Sequence, residues 1–283
     1  MPEIELTAGR IAYEDSGGDG PALVLCHGLL MNGALWDEVV DYLSPHFRCL
    51  RPTLPMGAHR NPMRPNADLS LRGQARLLAE LLDALALEDA TLVFNDWCGA
   101  QLLVAEGWDR RVGALVFASC ETFDNYPPGL PGRTAALAAR LPGGLLLALW
   151  PMRAKALRRL PMTFGLMSKR PVPDELFRSW LEPSLGDARI RRDLAKYAGD
   201  TNNGRRALQA ADSSLGEFSK PVLVAWAADD RVMPTQSGQR LAASFPNSRW
   251  VEIPDSRTLI PIDQPKVLAT AIESFLSAST SQG

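Results

Sequence analysis

The stretch TLVFNDWCGAQLL, residues 91–103, decides the fold. Its first half is an unbroken run of apolar and strand-favouring residues, which predicts a strand buried on both faces. Its second half has the composition of a helix, so the chain must turn sharply between the two, with Asp96 at the corner. A side chain at such a corner lies at the carboxyl end of the strand, where parallel sheets bind their ligands.

The same alternation of strands and helices extends in both directions along the chain. The predicted strands are EIELTAG, RIAYED, ALVLCHG (22–28), FRCLRPT (47–53), ATLVFN (90–95), VGALVFAS (112–119), PVLVAWAADD (221–230) and RWVEIP (249–254). LSLRGQARLLAELLDALA (69–86) repeats leucine and alanine at helical spacing. From about 125 to 215 the strand pattern stops. We therefore predict an α/β fold, an eight-stranded and mostly parallel sheet formed by 1–124 and 216–283, with a helical cap at 125–215.

Composition narrows the class of partner. The 283 residues include 30 basic and 32 acidic side chains, a net charge of −2, and no long block of one sign stands out. We therefore expect neither nucleic acid nor a membrane surface as a partner. LPGGLLLALWPM (141–152) is too short and too interrupted to span a bilayer as a helix. The opening MPEIELTAGR lacks the pattern of an export signal, which predicts a cytoplasmic protein.

The four cysteines predict neither a metal site nor a disulfide. Cys26, Cys49, Cys98 and Cys120 lie in or just after apolar runs, and their spacing matches no zinc motif. We expect reduced core thiols and no cofactor.

Two roles for the corner follow from its residues. A carboxylate at Asp96, beside the unpaired N–H groups of a helix start, would stay ionised and attack carbon as a nucleophile. Alternatively Asp96 only caps a helix that starts near Trp97. In another register Cys98 is the nucleophile, because a thiol near a helix start can have a lowered pKa. Otherwise Cys98 fills a tight contact between helix and strand.

Four segments together resemble the α/β-hydrolase fold over nearly the whole chain. These are the His27-Gly28 pair after the third strand, FNDWCGAQ after the fifth, AADDRVMP after the seventh, and PDSRTLIPIDQP near the end. Within that fold the Asp96-Trp97 pair is similar to haloalkane dehalogenases and epoxide hydrolases, whose nucleophile is an aspartate. The segment HGLLMN departs from both groups, since it lacks the proline of the epoxide hydrolases and the Asn or Glu of the dehalogenases.

The resemblance implies further site residues. Backbone N–H groups of Trp97 and Leu29 would stabilise an oxyanion, and the indole of Trp97 would bind a leaving halide. His27 would be a structural residue of the loop. The third catalytic member would be Asp230, after the seventh strand, or Glu121, after the sixth.

The resemblance also places the catalytic histidine where this chain has Thr258. A threonine cannot accept a proton near neutral pH, so the usual base for water is missing. His46 looks like a solvent-side loop residue. His59, in the loop after the fourth strand, is either a replacement base or a structural histidine.

Three functions are compatible with the sequence. The first is a hydrolase of the dehalogenase or epoxide hydrolase type that uses Glu121, Asp230 or His59 as its base. The second is a non-hydrolytic lyase, isomerase or cyclase in the same pocket, and the third is a binder without catalysis. In each case the ligand is a small apolar molecule.

The predicted cap supplies the apolar residues that would roof such a pocket, namely Trp150, Met152, Met162, Phe164, Met167, Phe177 and Trp180. Its tyrosines, Tyr126 and Tyr197, stand in no recognisable motif. The sequence leaves open whether an exposed apolar face of the cap pairs two chains into a homodimer.

Overall fold

The computed structural model describes residues 1–97 and 99–280. Cys98, predicted as a pocket residue and as an alternative nucleophile, lies outside the described residues.

Eight strands form one sheet, as predicted. The strands are β1 (Glu3–Glu5), β2 (Arg10–Asp15), β3 (Ala22–Cys26), β4 (Arg48–Pro52), β5 (Ala90–Asp96), β6 (Val112–Cys120), β7 (Val222–Ala227) and β8 (Ser248–Ile253). Their order across the sheet is β1-β2-β4-β3-β5-β6-β7-β8. The pairs β1–β2 and β2–β4 are antiparallel, and the others are parallel. The predicted fold class is confirmed.

Helices cover the sheet and fill the long connection between β6 and β7. They are α1 (Asp37–Leu43), α2 (Leu71–Ala84), α3 (Ala100–Ala105), α4 (Gly129–Arg140), α5 (Gly144–Leu149), α6 (Asp174–Gly186), α7 (Ala188–Gly199), α8 (Thr201–Ala211), α9 (Thr235–Ser244), α10 (Ile260–Asp263) and α11 (Pro265–Thr280). In the part of the chain that the structure describes, no helix is long and apolar enough to cross a membrane.

The helix predicted at 69–86 shows how the sequence sets these elements. The structure begins α2 at Leu71, where the Ser70 side chain accepts a hydrogen bond from the N–H of Gly73 at 3.1 Å. Leu71, Leu78 and Leu82 are fully buried on one face. A serine cap and an apolar stripe are the two features that favour a helix at this place.

The connection between β6 and β7, residues 121–221, is described throughout and contains helices but no strand. Helices α4, α5, α6 and α7 pack on one another, whereas α8 packs on α2 and α3 beside the sheet. The division into a core and a cap at 125–215 stays a prediction.

Burial of the central strands fixes where chemistry can occur. All seven residues of β5 are buried, and so are eight of the nine residues of β6. Because β5 and β6 are parallel neighbours, their carboxyl ends meet at one edge of the sheet, and Asp96 pairs in register with Cys120. The structure therefore brings Asp96 next to the residue after Cys120, which is Glu121.

Candidate active site

Asp96 lies on a strained corner at the end of β5. Its φ is +67°, in the left-handed region that few non-glycine residues adopt, and its side chain is buried, with 4% exposed. The N–H of Trp97 donates to the carbonyl of Asn95 at 2.8 Å, which closes a three-residue turn around Asp96. Such a conformation costs about 1–3 kcal/mol and persists where the surrounding structure enforces it. This strain is typical of functional positions.

The neighbouring loop after β3 holds the carboxyl group in place. The N–H of Leu29 donates to Oδ2 of Asp96 at 3.1 Å. A Cβ at Gly28 would lie 2.1 Å from the same oxygen, so this approach needs a glycine. The structure thus places the backbone of Leu29 at the carboxyl group, which is where the resemblance puts a donor.

The structure does not support the role of a helix cap. Helix α3 begins at Ala100, its N-cap is Gly99, and no side chain caps it. Asp96 precedes that helix by four residues and bonds to Leu29 instead. The interpretation of Asp96 as a simple cap is therefore wrong, because the tight turn at Asp96 delays the helix start.

Burial also changes the charge expected at Asp96. The pKa of its carboxyl group is raised from 3.8 to about 7. Removal from water is the largest cause, the hydrogen bond from Leu29 opposes the shift, and the nearby charge of Asp230 adds to it. The sequence predicted that the helix start keeps this group ionised. In the folded chain desolvation dominates, so Asp96 exchanges a proton near neutral pH.

Thr258 occupies the corner where the resemblance expects a histidine. Its Oγ1 donates to Oδ1 of Asp230 at 2.8 Å, and the same oxygen accepts from the N–H groups of Val232 (2.9 Å) and Met233 (2.8 Å). The carbonyl of Thr258 accepts from Nδ2 of Asn95 at 2.6 Å. Burial raises the pKa of Asp230 in spite of these hydrogen bonds. The acid therefore pairs with a hydroxyl that cannot act as a base.

A cavity of about 310 Å³ opens above Asp96. Among the described residues its titratable wall groups are Asp96, Glu121, Tyr126 and Tyr197, and the rest of the wall is mainly apolar. Neither histidine, lysine nor arginine is part of this described wall. The cavity therefore offers two carboxyl groups and two phenols to a small apolar ligand.

The two tyrosines are the residues that the sequence failed to assign. The hydroxyl of Tyr197, on α7, donates to Oε2 of Glu121 at 3.5 Å. Burial raises the pKa of both Tyr126 and Tyr197 well above the usual 10, so both phenols keep their protons. Ile190 and Leu194 are buried on the same helix at the spacing that leads to Tyr197, and this pattern was the available signal.

The structure places only one of the candidate bases Glu121, Asp230 and His59 in the wall of the cavity. Glu121 is buried and lines the cavity beside Asp96. Asp230 is not among the wall residues, and neither is Thr258, whose hydroxyl donates to Asp230. His59 is also absent from the wall, and its Nε2 lies 3.3 Å from Oδ2 of Asp193 on α7. Of the three candidate bases, the structure brings only Glu121 into the cavity with Asp96.

The other histidines have structural surroundings. Nε2 of His27 accepts from the N–H of Leu54 at 2.9 Å, and its Nδ1 donates to the carbonyl of Gly28 at 2.8 Å. Burial lowers the pKa of His27 to about 4, so the ring is neutral and links the two loops. His46 is exposed, as expected.

The predicted halide donor lies outside the cavity wall. Trp97 is fully buried, with its ring 5.5 Å from that of Phe94 and close over Gly99, where a Cβ would lie 2.2 Å from the indole. Trp97 is not among the residues that line the cavity, and its backbone N–H is used by Asn95. This packing does not support Trp97 as a halide or oxyanion donor.

The predicted roof is partly correct. Met152, Met162, Phe164 and Met167 line the cavity. Phe177 and Trp180 instead pack against Phe164 within the helical layer, and Trp150 is 61% exposed. No cluster of His, Cys, Asp and Glu that could hold a metal occurs in residues 1–97 and 99–280.

Comparison with known proteins identifies the family. A family model described as the alpha/beta hydrolase fold matches residues 21–265. The chain therefore belongs to the α/β-hydrolase family, and the resemblance predicted from its motifs is confirmed.

Individual relatives cover almost the whole chain. It is 27% identical over 278 residues to haloalkane dehalogenase 2 of Mycobacterium tuberculosis, covering 95% of this chain and 92% of that protein. It is 24% identical over 285 residues to a cis-3-alkyl-4-alkyloxetan-2-one decarboxylase of Xanthomonas campestris, covering 94% and 92%. The crystal structure of haloalkane dehalogenase DbeA from Bradyrhizobium elkani covers 99% of this chain and 98% of its own at 19% identity, with a TM-score of 0.75. The fold is thus shared with dehalogenases along its entire length.

Proposed function

We propose that this chain is a hydrolase of the dehalogenase and epoxide hydrolase type, acting on a small apolar molecule through Asp96. One observation carries the proposal: a carboxyl group on a strained corner, held by Leu29, shares an apolar cavity with a second carboxyl group, Glu121. The similarity to haloalkane dehalogenase 2 supports the same chemistry. The strain and the glycine at residue 28 would be unnecessary for a carboxyl group that only packs in a core.

In the first step an oxygen of ionised Asp96 attacks an sp³ carbon of the substrate. A carbon–oxygen bond forms, the bond to the leaving group breaks, and the substrate becomes an ester of Asp96. With a pKa near 7, about half of the chains have the ionised form at neutral pH. The buried site raises the reactivity of that form, because the carboxylate is poorly solvated there.

The phenols favour an oxygen leaving group, such as the ring oxygen of an epoxide, over a halide. Tyr126 and Tyr197 keep their protons and line the same cavity as Asp96. The alkoxide that forms when the ring opens accepts the proton of one phenol, for which we choose Tyr197 because its hydroxyl already contacts Glu121. The indole that would serve a halide lies outside the wall.

In the second step water hydrolyses the Asp96 ester, and we assign the activation of that water to Glu121. The carboxylate of Glu121 takes one proton from water as the oxygen attacks the ester carbonyl, and passes it to the Tyr197 phenolate across their contact. The tetrahedral intermediate then collapses, its remaining hydroxyl proton leaves with the alcohol, and Asp96 is restored. The N–H of Leu29 stabilises the oxyanion in this step.

Intact-protein mass spectrometry tests the proposal. The chain should form an alkyl adduct with members of a panel of epoxides and alkyl halides, and Asp96→Asn should abolish both the adduct and turnover, by roughly a thousandfold or more. Glu121→Gln should leave adduct formation intact and slow its hydrolysis, so that the adduct accumulates. Asp19→Asn, an exposed carboxylate, is the matched control. An adduct that survives in Asp96→Asn would refute Asp96 as the nucleophile.

A second candidate is a non-hydrolytic reaction in which Asp96 only moves a proton. The observation in its favour is the pKa near 7 together with the lack of histidine in the described wall, since this pKa suits a general acid or base. Turnover in ¹⁸O-labelled water separates the two. Hydrolysis incorporates the label, whereas an isomerisation, elimination or cyclisation gives unlabelled product.

A further inference from the structure

Positive charge is concentrated in one part of the helical connection. Between Asp124 and Asp174 the sequence has eight basic residues and no acidic residue, which leaves the remaining chain with 22 basic and 32 acidic side chains. The basic residues are Arg133, Arg140, Arg153, Lys155, Arg158, Arg159, Lys169 and Arg170. These cations form no long unbroken block, and the net charge of −2 does not reveal their concentration because acidic residues elsewhere in the chain balance them.

The same segment exposes most of the large apolar side chains on the surface. Nine of the twelve exposed large hydrophobic residues in the described chain lie between 130 and 162, namely Leu130, Leu137, Leu141, Leu146, Leu147, Trp150, Leu157, Leu160 and Met162. Leu147 is 77% exposed, and Leu137 and Trp150 are each 61% exposed. A group of exposed apolar side chains this dense is typical of an interaction surface.

Four of these nine residues also belong to the wall of the Asp96 cavity. Leu147, Leu157, Leu160 and Met162 are exposed and also line the cavity wall. The hydroxyl of Thr134, on α4, donates to the carbonyl of Met162 at 3.0 Å and joins the two sides of the rim. We call the exposed residues from 130 to 162 the rim face.

Several cations of the rim face have no acidic partner. Arg133, Arg140, Arg153 and Arg159 are exposed, and none of them forms an ion pair with a described residue. Lys155, by contrast, pairs with Asp174. Exposed guanidinium groups interspersed with leucine and tryptophan match the composition of segments that lie in the headgroup region of a bilayer.

We infer that the rim face docks on the surface of an anionic lipid bilayer, with its arginines on lipid phosphates and carboxylates and its apolar side chains among the upper acyl chains. A second copy of the chain fits less well, because two rim faces in contact would bring like charges together. Nucleic acid would leave the leucines and Trp150 exposed to water. Docking would turn the cavity mouth toward the lipid, so that an apolar substrate enters from the bilayer, and this last point rests on the proposed function.

Vesicle co-sedimentation with the full chain tests the docking. The probes are vesicles of phosphatidylcholine alone and vesicles in which about a third of the lipid is phosphatidylserine. We expect binding to the anionic vesicles, weak binding to the neutral ones, and loss of binding at high salt. The triple variant Arg133→Gln, Arg153→Gln, Arg159→Gln should bind roughly a hundredfold more weakly, at about fivefold for each cation.

Further variants separate the effect of the rim-face charges on binding from the effect of the apolar side chains that insert. Arg60→Gln, Arg206→Gln, Arg249→Gln removes three exposed arginines outside the rim face and should bind as the parent does. The double variant Leu137→Ser, Trp150→Ala should weaken binding while keeping the salt dependence. In the parent, the fluorescence of exposed Trp150 should shift to the blue on anionic vesicles, and Trp150→Phe should lose that shift.

Four results would overturn the inference. Two are equal binding to neutral and anionic vesicles and equal binding by the two triple variants. The others are a chain that pairs with itself through the rim face without binding vesicles, and tighter binding to duplex DNA than to anionic vesicles. If docking fails while turnover of a water-soluble epoxide persists, the proposed function survives, and docking without any turnover would refute that function alone.

Discussion

The corners at Asp96 and Thr258 lie at the same edge of the sheet and differ in what they retain. At Asp96 the structure has a left-handed φ, a donor at Leu29 and a glycine that admits the carboxyl group. At Thr258 the hydrogen bond to Asp230 is present, but the side chain that makes it cannot accept a proton. One corner has both the geometry and the chemistry that the family resemblance implies, and the other has only the geometry.

This difference separates two steps that usually occur together. In the mechanism that we propose, attack on substrate requires Asp96 and its donor, and both groups are present. The proposal assigns the activation of water to Glu121, which contacts Tyr197. Under this proposal the scaffold keeps the nucleophile corner while the base changes its position.

The largest effect is expected when the missing base is restored. Thr258→His would place an imidazole against Asp230 and should speed hydrolysis of the Asp96 ester by roughly a hundredfold to ten-thousandfold. Single-turnover decay of the adduct, followed by mass spectrometry, measures this rate. Thr258→Asn, which cannot accept a proton, should give no acceleration. If the two variants decay equally, the geometry of this corner no longer suits a base.

The next effect is on stability and concerns the Asp96 corner. Because its folded pKa of about 7 exceeds the ordinary 3.8, the folded chain retains a proton that the unfolded chain gives up, and the free energy of unfolding falls as the pH rises from about 4 to about 7. The difference corresponds to roughly 4 kcal/mol, since one pKa unit is about 1.4 kcal/mol. Asp96→Asn should remove this loss. The difference in the free energy of unfolding between the variant and the parent should therefore shift in favour of the variant as the pH rises from about 4 to about 7.

Urea unfolding at several pH values measures that gain. Asp19→Asn, at an exposed position, should follow the parent at every pH. Parallel curves for Asp96→Asn and the parent would mean that Asp96 titrates near its ordinary value in the folded chain.

A smaller effect is expected when the support of the Asp96 corner is disturbed. Gly28→Ala places a methyl carbon 2.1 Å from Oδ2 of Asp96, so the carboxyl group must move away from Leu29. We expect adduct formation to slow by about a hundredfold, because small displacements of a reacting group are costly. Gly186→Ala, where an added Cβ meets nothing within 4 Å, is the matched control. Equal rates in the two variants would argue against a role for this contact.

The smallest effect concerns the phenols above the corner. Tyr197→Phe removes the hydroxyl that contacts Glu121 and should slow epoxide opening by about tenfold, whereas displacement of a halide should be unchanged. The ratio of the rate of epoxide opening to the rate of halide displacement, measured in one preparation, shows whether Tyr197 assists an oxygen leaving group. A similar loss for both substrates would show that Tyr197 only supports the position of Glu121.

The sheet was predictable because its central strands β3, β5, β6 and β7 are nearly continuous apolar runs and helical periodicity separates the strands. All eight strands lie where the pattern placed them, and α2 begins within two residues of its predicted start. Buried parallel strands give a strong signal in the sequence because nearly every position must be apolar.

The parts of the site that depend on neighbouring strands of the sheet were predictable. The parts that depend on the packing of the helical connection were not. Asp96 and Glu121 follow adjacent strands, so their meeting could be expected from the fold. Tyr126 and Tyr197 reach the cavity from the helical connection. Only the helical spacing of buried Ile190 and Leu194 points to Tyr197, and no comparable pattern points to Tyr126. The pKa of Asp96 likewise depends on desolvation in three dimensions, whereas the sequence suggested a group that stays ionised.

The left-handed φ of Asp96 also limits which residues evolution or design can place at this corner. Aspartate and asparagine tolerate that backbone better than most side chains, whereas valine, isoleucine and threonine oppose it through their branched Cβ. The turn therefore restricts which side chains can occupy position 96. New reactions on this scaffold are easier to obtain by altering the proposed base or the rim than by replacing Asp96 with a branched residue.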